Sequence, residues 1–450
     1  MVVVVTAEPV AVSVRSRRAV PHLLQRAGPL ALAGLAANGL GVALTIALAR
    51  LLDSRGYGAY ASLVGLSLIL SMPGSALVVA VVRTVSDLRA TGRGVDVEAW
   101  STQLRRRLLL VAVTLPVLGV GLGGAISDAL SLPTPAGIAL VVSAAGVWAL
   151  LGFERGLLQA GASYGALGRN LLVEAGVRTV ATFGLVGAGA GVAGAAGGVL
   201  AANLAAVAHA RRHQVLAAAR GVQAGVLDAA GADRPSTGRA RLRVDAATAL
   251  GVLALLAVLQ TLDVLVVGRA APESSGSYAA ISVTSKALVF VGFALSQYLL
   301  PEAARCFSEG RHALHQLGVS LGLLAVPAAG LLLTALLAPE LLLRTVFGPD
   351  LLDAAHALST LVLATTALGA AVLLAYYLLG AGRREVVAVL AAAAVAVALA
   401  LDAAHGEPLG TARALLACNA ALAGVLAVMA VRTSQVDRRR ASRSAIPGGV

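Results

Sequence analysis

The sequence predicts an all-α polytopic membrane protein with about twelve transmembrane helices, since roughly 20 apolar residues in a helix cross a bilayer core. Apolar stretches of that length recur from Pro29 almost to the C-terminus. The composition agrees, because 58% of the residues are hydrophobic and only 13% are charged. A soluble domain of 450 residues with so few charges could not cover its surface. Aromatic residues make up 3%, too few for the aromatic girdles of a membrane β-barrel.

Each predicted span is an apolar stretch bounded by polar, basic or Gly-rich segments. The spans cover residues 29–49, 59–82, 108–126, 136–153, 171–190, 192–210, 244–268, 277–300, 316–338, 357–379, 386–403 and 411–431. Only Gly and Ala separate the two spans within 171–210. Before Pro29, Glu8 and the basic cluster Arg15–Arg18 do not fit a cleaved signal peptide. We therefore expect residues 1–28 to form a cytosolic arm.

The distribution of basic residues predicts the orientation. With both termini in the cytosol, 28 of the 35 Lys and Arg residues lie on the cytosolic side and five lie outside. The other two, Arg178 and Lys286, lie within spans. This asymmetry follows the positive-inside rule and places the protein in the cytoplasmic membrane. The net charge of +13 then attracts anionic membrane lipids. It does not indicate nucleic-acid binding, since no basic run carries interleaved aromatic residues.

The chain contains an internal repeat. Residues 57–83 match residues 275–301 at a shift of 218 without a gap. The matched pairs include Gly58 with Gly276, Tyr60 with Tyr278, and Gly74 with Gly292. Six spans in each half give both halves the same orientation, so we expect parallel repeats with a cavity between them near the midplane. The predicted parts are an N-lobe (29–210), a cytosolic linker (211–243), a C-lobe (244–431) and a cytosolic basic tail (432–450).

Two ionisable residues in the predicted C-lobe are candidates for function. A charge inside a span costs roughly 2.5–3.5 kcal/mol on insertion scales, so it should face a cavity or a partner. Asp263, with Gln260 one turn before it, could bind a coupling cation or could be satisfied near the outer interface. Lys286, the single Lys, could bind an anionic substrate in the cavity or could snorkel outward. Eight residues join the two spans, so we expect Asp263 and Lys286 to approach each other and to line the interlobe cavity.

The N-lobe carries further candidates. Glu174 and Arg178 are spaced for an intrahelical ion pair. Alternatively, Arg178 faces the cavity, where a guanidinium can bind a diphosphate bidentately, and Arg83 could do the same at the cytosolic entrance. Asn38 and Asn203 are predicted to be buried amides, which favour hydrogen bonds between helices and could also line the cavity.

Several motifs together resemble one transporter family. They are Leu51-Leu52-Asp53-Ser-Arg-Gly-Tyr-Gly-Ala-Tyr60, the stretch from Thr261 to Arg305, Phe347-Gly348-Pro349, and Tyr376-Tyr377-Leu-Leu-Gly-Ala-Gly-Arg383. In order and spacing they resemble the Wzx-like polysaccharide flippases, which act in O-antigen and exopolysaccharide synthesis. These belong to the multidrug/oligosaccharidyl-lipid/polysaccharide (MOP) exporter superfamily.

The resemblance implies a MATE-like pair of six-helix lobes related by a pseudo-twofold axis. It also implies alternating-access translocation of an isoprenoid diphosphate-linked oligosaccharide for cell-surface polysaccharide biosynthesis, including lipopolysaccharide. Na⁺ or H⁺ and other polysaccharide-assembly membrane proteins are the implied partners.

Two alternatives to a flippase follow from the same sequence. A cation-coupled antiporter of drugs or metabolites, from the same superfamily, would favour carboxylates and aromatic residues in its cavity. A membrane enzyme would usually carry a large outer loop with catalytic residues, and the outer loops predicted here are short. Gly189-Ala-Gly191-Val-Ala-Gly194 matches a nucleotide-binding pattern but follows no strand, so close helix packing explains it better. We expect no cofactor, no metal site and no catalytic residues.

Overall fold

The computed structural model describes residues 19–90, 96–129, 135–219, 239–308 and 314–444. These residues form α-helices joined by turns, and no strand occurs among them. The helices are α1 (Ala19–Leu51), α2 (Ser54–Ala90), α3 (Asp96–Ala129), α4 (Pro135–Ala160), α5 (Tyr164–Leu185), α6 (Gly191–Ala219), α7 (Arg239–Leu259), α8 (Leu262–Ala270), α9 (Ser275–Ser308), α10 (Leu314–Leu337), α11 (Pro339–Val346), α12 (Leu358–Gly380), α13 (Glu385–Ala403) and α14 (Pro408–Ser444). The predicted all-α class is confirmed.

Eleven apolar stretches in the described residues are long enough to cross a membrane. One of them, Tyr164–Leu216, is 53 residues long and contains both α5 and α6, which pack against each other. The chain turns between them at Val186–Ala190, where Gly189 and Gly191 have φ of 88° and 50°. A side chain is strained at such angles. The stretch therefore provides two crossings, as the sequence predicts.

Apolar side chains cover the outside of the bundle. On α3, Leu110, Val117 and Val120 are 67%, 70% and 74% exposed. On a soluble protein such a surface would promote aggregation. In a bilayer the same side chains lie against lipid tails, as expected for a multi-pass membrane protein.

The structure corrects the expected seventh span. The sequence predicted one helix over 244–268, but the chain leaves helical geometry at Gln260 and Thr261, between α7 and α8. The Thr261 hydroxyl donates to the carbonyl oxygen of Ala257 at 2.8 Å, a local bond that competes with regular helix geometry. Its side chain also packs against Gly65 of α2. The apolar composition of the segment gives no information about either contact, so the break could not be predicted from it.

The helix ends also differ from the expected domain boundaries. Helix α1 begins inside the expected arm, α6 and α7 extend into the expected 211–243 linker, and α14 continues beyond residue 431. An apolar window measures the thickness of the hydrocarbon core, whereas a helix can continue into water, where its polar side chains are solvated. The remaining arm, linker and tail residues lie outside the described ranges.

The two halves of the chain pack their central helices in the same way. In the first half α2 crosses α4 at Gly74 and Gly152, where a β-carbon on Gly152 would overlap the Gly74 carbonyl oxygen. In the second half α9 crosses α12 at Gly292 and Gly369, where a β-carbon on Gly292 would lie 2.9 Å from the Gly369 carbonyl oxygen. Gly74 and Gly292 are partners in the sequence repeat. Small residues let the backbones approach closely in both crossings.

An asparagine bridges corresponding helices in each half. Asn203 on α6 donates to the carbonyl oxygen of Ala144 on α4 at 3.1 Å. Asn419 on α14 donates to that of Ala364 on α12, also at 3.1 Å. Each amide nitrogen thereby finds an acceptor on the neighbouring helix inside the bilayer. The duplication therefore extends from sequence to helix contacts.

The lobes meet where α1 passes into α2 and α8 passes into α9, a region that we call the interlobe corner (residues 50–65 and 261–276). Gly58 on α2 leaves room for the side chain of Ser275, and Gly276 on α9 leaves room for the backbone at the start of α2. Gly58 and Gly276, which the sequence repeat pairs, thus both lie in the contact between the lobes, at one end of the bundle.

A basic side chain adds a polar contact at the interlobe corner. The Arg50 guanidinium donates to the carbonyl oxygens of Thr345 and Val346, at 2.5 and 3.2 Å. Those oxygens lie at the C-terminus of α11, where backbone carbonyls lack partners within the helix and the helix dipole favours a cation. The rings of Tyr57 and Phe347 pack beside this contact, with centroids 6.2 Å apart. The first lobe is therefore joined to the second at this end.

The glycine crossings predict a position-dependent effect on stability. Gly152→Ala should lower the free energy of unfolding by about 1–3 kcal/mol, because its β-carbon has no room against Gly74. Gly176→Ala on α5 is the matched control, since a β-carbon there meets no atom within 4 Å. Thermal unfolding of the two variants in the same detergent measures the difference. Equal melting temperatures would contradict the close crossing.

Candidate functional site

The C-lobe holds a buried ion pair between α8 and α9. The Lys286 Nζ lies 2.8 Å from Oδ1 of Asp263, and the two side chains are 14% and 3% exposed. Ser282 and Tyr278 donate their hydroxyls to Oδ2 of Asp263, at 2.9 and 3.2 Å. Both carboxylate oxygens therefore have partners. The expected approach of Asp263 and Lys286 is confirmed.

Helix geometry explains why three donors reach one carboxylate. Residues 278, 282 and 286 follow each other at intervals of four on α9, so they lie on one face of that helix. Asp263 lies in the first turn of α8, directly after the break, and α8 packs against α9. Gln260 is buried at the break. The broken helix thus presents the carboxylate to the polar face of its neighbour.

The N-lobe holds a second charged cluster, which we call the Glu174 cluster (Arg155, Asn170, Glu174 and Arg178). Glu174 on α5 accepts hydrogen bonds from two arginines, from Arg155 on α4 at 2.6 Å and from Arg178 on its own helix. Arg155 Nε also donates to Asn170 Oδ1 at 2.8 Å. The Asn170 amide donates onward to the carbonyl oxygen of Ala206 on α6, at 2.7 Å. The cluster therefore joins three helices.

Aromatic packing positions Arg155 within the cluster. Its guanidinium lies over the Trp148 ring, 5.5 Å from the centroid, in cation–π geometry. The Trp148 Nε1 donates to the carbonyl oxygen of Ser71 on α2 at 3.0 Å. Arg155 was among the 28 basic residues assigned to the cytosolic side, and this role was not predicted. Its place near the end of α4, about two helical turns after Trp148, was the available signal.

Arg178 is only partly neutralised within the Glu174 cluster. The expected Glu174–Arg178 ion pair is confirmed, but two guanidinium groups share a single carboxylate, so the three side chains carry one net positive charge. The Arg178 side chain is 35% exposed, and its buried Nε has no hydrogen-bond partner. The residue lies within electrostatic reach of Tyr60 on α2. Arg178 therefore carries positive charge that Glu174 does not fully balance, on a side chain that is partly exposed.

The internal repeat relates the two charged regions. At the shift of 218, Tyr278 and Asp263 correspond to Tyr60 and Thr45. The Tyr278 hydroxyl donates to Asp263, and Tyr60 lies near Thr45. Each lobe thus places a tyrosine beside the preceding helix. In the C-lobe, an ion pair without net charge lies beside this tyrosine. In the N-lobe, the cationic Arg178 lies near the corresponding tyrosine.

The other sequence candidates lie elsewhere. Asn203 is buried in the α4–α6 contact described above, which confirms the predicted hydrogen bond between helices. Asn38 is exposed on α1, so the prediction of a buried amide was wrong. Gly34 and Gly41 lie on the same face of α1 as Asn38, and a β-carbon at either would meet no atom within 4 Å. The Asn38 amide is exposed because this face has no close neighbours. The side chain of Arg83, on α2, lies outside the described residues.

Solved structures with a similar fold are transporters. One is a multidrug resistance MATE family transporter of the MOP superfamily in an inward-facing conformation (TM-score 0.69, 12% identity, 89% of this chain and 95% of that chain). Another is the lipid II flippase MurJ in an inward closed conformation (TM-score 0.67, 9% identity, 93% of each chain). A third is a MOP superfamily transporter from Pyrococcus furiosus (TM-score 0.54, 13% identity, 93% of this chain and 95% of that chain).

No protein-family model matches the chain, and no curated protein matches it in sequence. At these low identities the structural likeness establishes the fold. The chain has the two-lobed fold of MOP superfamily transporters, which confirms the expected MATE-like architecture.

The buried ion pair predicts a non-additive mutant cycle. In Na⁺-free buffer, Asp263→Asn and Lys286→Met should each lower the free energy of unfolding, by up to about 3–5 kcal/mol, because each leaves a buried charge without its partner. The double variant leaves no charge and should lose less than the sum of the single variants. Denaturant or thermal unfolding in detergent measures all four proteins. Additive losses would show that the pair contributes no coupling.

Proposed function

We propose that this protein translocates an oligosaccharide linked to an isoprenoid diphosphate across the cytoplasmic membrane. The transport would proceed by alternating access and would serve cell-surface polysaccharide biosynthesis, as in the Wzx-like flippases. The observation that carries the proposal is the partly neutralised guanidinium of Arg178 in the Glu174 cluster. An unbalanced charge inside a bilayer is costly, and an anionic ligand removes that cost.

A diphosphate suits this arrangement chemically. A guanidinium donates two parallel hydrogen bonds to phosphate oxygens, which gives both affinity and orientation. Arg155 holds Glu174 from the opposite side at 2.6 Å, so a phosphate can replace part of the contact between Glu174 and Arg178 without leaving the carboxylate unpaired. Tyr60 adds a hydroxyl group within electrostatic reach of Arg178.

The interlobe contacts are compatible with entry from one side. Under the predicted topology the interlobe corner lies on the outer side of the membrane, and its glycine contacts and Arg50 bonds hold the lobes together there. The head group would then enter from the cytosolic side between the lobes. The isoprenoid tail would stay in the lipid, because its apolar surface has no reason to enter a polar cavity.

The alternative function is cation-coupled export of a drug or metabolite. The similarity to a multidrug resistance transporter supports it at the level of fold. Such an antiporter would use an acidic group in its cavity for a cationic drug or for Na⁺ or H⁺. The Asp263 carboxylate is the candidate, but Lys286 already neutralises it. The flippase proposal accounts for the excess of positive charge, which the antiporter proposal leaves unexplained.

A transport assay on reconstituted protein tests the proposal. The substrate is a fluorescent disaccharide on an isoprenoid diphosphate, and a membrane-impermeant quencher reports its movement between leaflets. Arg178→Gln should slow transport by about 10- to 100-fold, which corresponds to the ~1.5–3 kcal/mol of a hydrogen bond to a charged group. Arg178→Lys should retain part of the rate, since it keeps the charge and loses the fork geometry.

Arg169→Gln is the matched control, because Arg169 lies exposed on the same helix. Arg178→Gln leaves the balanced pair of Arg155 and Glu174, so the variant should keep its melting temperature. Equal transport by folded Arg178→Gln and Arg169→Gln would refute the proposal. Faster export of a cationic drug than of the diphosphate-linked sugar would support the alternative.

A further inference from the structure

We infer that Lys286 occupies a site for a monovalent cation built around Asp263, and so acts as a tethered counter-ion in place of a free one. The inference is independent of the proposed substrate. It rests on the coordination of the carboxylate, on the helix break beside it, and on the comparison of the two lobes.

The oxygen atoms gathered at Asp263 are those that suit a small hard cation. The Lys286 ammonium lies 2.8 Å from Oδ1 of Asp263. The hydroxyl oxygens of Ser282 and Tyr278 contact the other carboxylate oxygen. Without the ammonium, the site at Asp263 would present one carboxylate and two hydroxyls in a buried space. Alkali and alkaline-earth cations favour such oxygen ligands over nitrogen or sulfur.

The helix break adds a second, independent feature. Between α7 and α8 the chain leaves helical geometry at Gln260 and Thr261, and both residues are buried. At the break the carbonyl oxygens of Ala257 and Val258 accept hydrogen bonds from the Thr261 hydroxyl. In membrane helices, unwound backbone of this kind can supply further oxygen ligands. Gln260 lies within one turn of Asp263 along the chain.

The comparison between lobes shows that the two charges belong together. At the shift of 218, Asp263 corresponds to Thr45 and Lys286 to Leu68. A tyrosine lies beside the preceding helix in both lobes, whereas both charges are confined to the second. A carboxylate placed alone at Asp263 would need a cation from solution to be stable in the bilayer. Lys286 supplies that cation from the chain itself.

It follows that a free cation and Lys286 compete for Asp263. As long as the ion pair stands, binding of Na⁺ at this carboxylate is excluded by charge and by space. Removal of the ammonium should uncover a site that the wild-type protein does not offer to solution. This distinguishes a built cation site from a salt bridge that merely joins two helices.

The test is the dependence of stability on sodium in the full-length protein. Melting temperatures are measured in detergent for wild type, Lys286→Met and Lys286→Leu, in NaCl and in choline chloride at equal ionic strength and pH. Lys286→Leu places at this position the residue that its counterpart carries in the N-lobe. Wild type should melt at the same temperature in both salts. The two variants should melt at least ~3 °C higher in NaCl, because a ligand that binds only the folded state stabilises it.

Two further proteins serve as controls. Lys286→Arg retains a tethered cation and should show no preference for sodium. The double variant Asp263→Asn with Lys286→Met removes the carboxylate and should also show none. If the single variants fold only when purified in NaCl, that recovery supports the inference as well.

Three results would overturn it. The single variants could melt alike in both salts, they could fail to fold in both, or they could be stabilised only by lower pH. The last result would mean that Asp263 takes a proton and that no metal-cation site is built around it. None of these outcomes bears on the transport assay with Arg178, which can succeed or fail separately.

Discussion

A charge inside a lipid bilayer must meet an opposite charge or a polar ligand, and this constraint governs the interior of the protein. Glu154 is paired with Arg105 at 2.7 Å, Glu174 with Arg155 at 2.6 Å and Asp263 with Lys286 at 2.8 Å. Each pair joins two different helices, so the charges also fix how neighbouring helices are arranged. Arg178 exceeds this balance, since it shares Glu174 with Arg155. The proposed function follows from that excess.

The two lobes combine a repeated scaffold with different polar contents. Close crossings at Gly74 with Gly152 and at Gly292 with Gly369 set the same helix packing in both halves. Within this common frame, the N-lobe carries a cationic cluster and the C-lobe carries a neutral pair. A duplicated fold of this kind can thus use one lobe for an anionic ligand. In the other lobe, Lys286 balances the charge of the intramembrane carboxylate, so no such ligand is needed.

Much of this architecture could be predicted from the sequence, and the failures have physical causes. The spans and the repeat follow from apolar length and from residue identity. The pair of Asp263 and Lys286 could be predicted because a short connection forces adjacent helices together at known depths. Arg155 was missed because an arginine near a helix end looks the same whether it faces water or turns inward to Glu174. The break at Thr261 depends on a tertiary contact, which composition does not record.

The central claim is that the partly neutralised guanidinium of Arg178 binds an anionic isoprenoid-linked head group. Native mass spectrometry of the protein, extracted gently from its own membrane, tests this claim most directly. The account predicts one bound lipid per protein, with a mass that fragments to an isoprenoid diphosphate and a glycan. Retention of only zwitterionic or neutral lipids, or of a cationic small molecule, would contradict it.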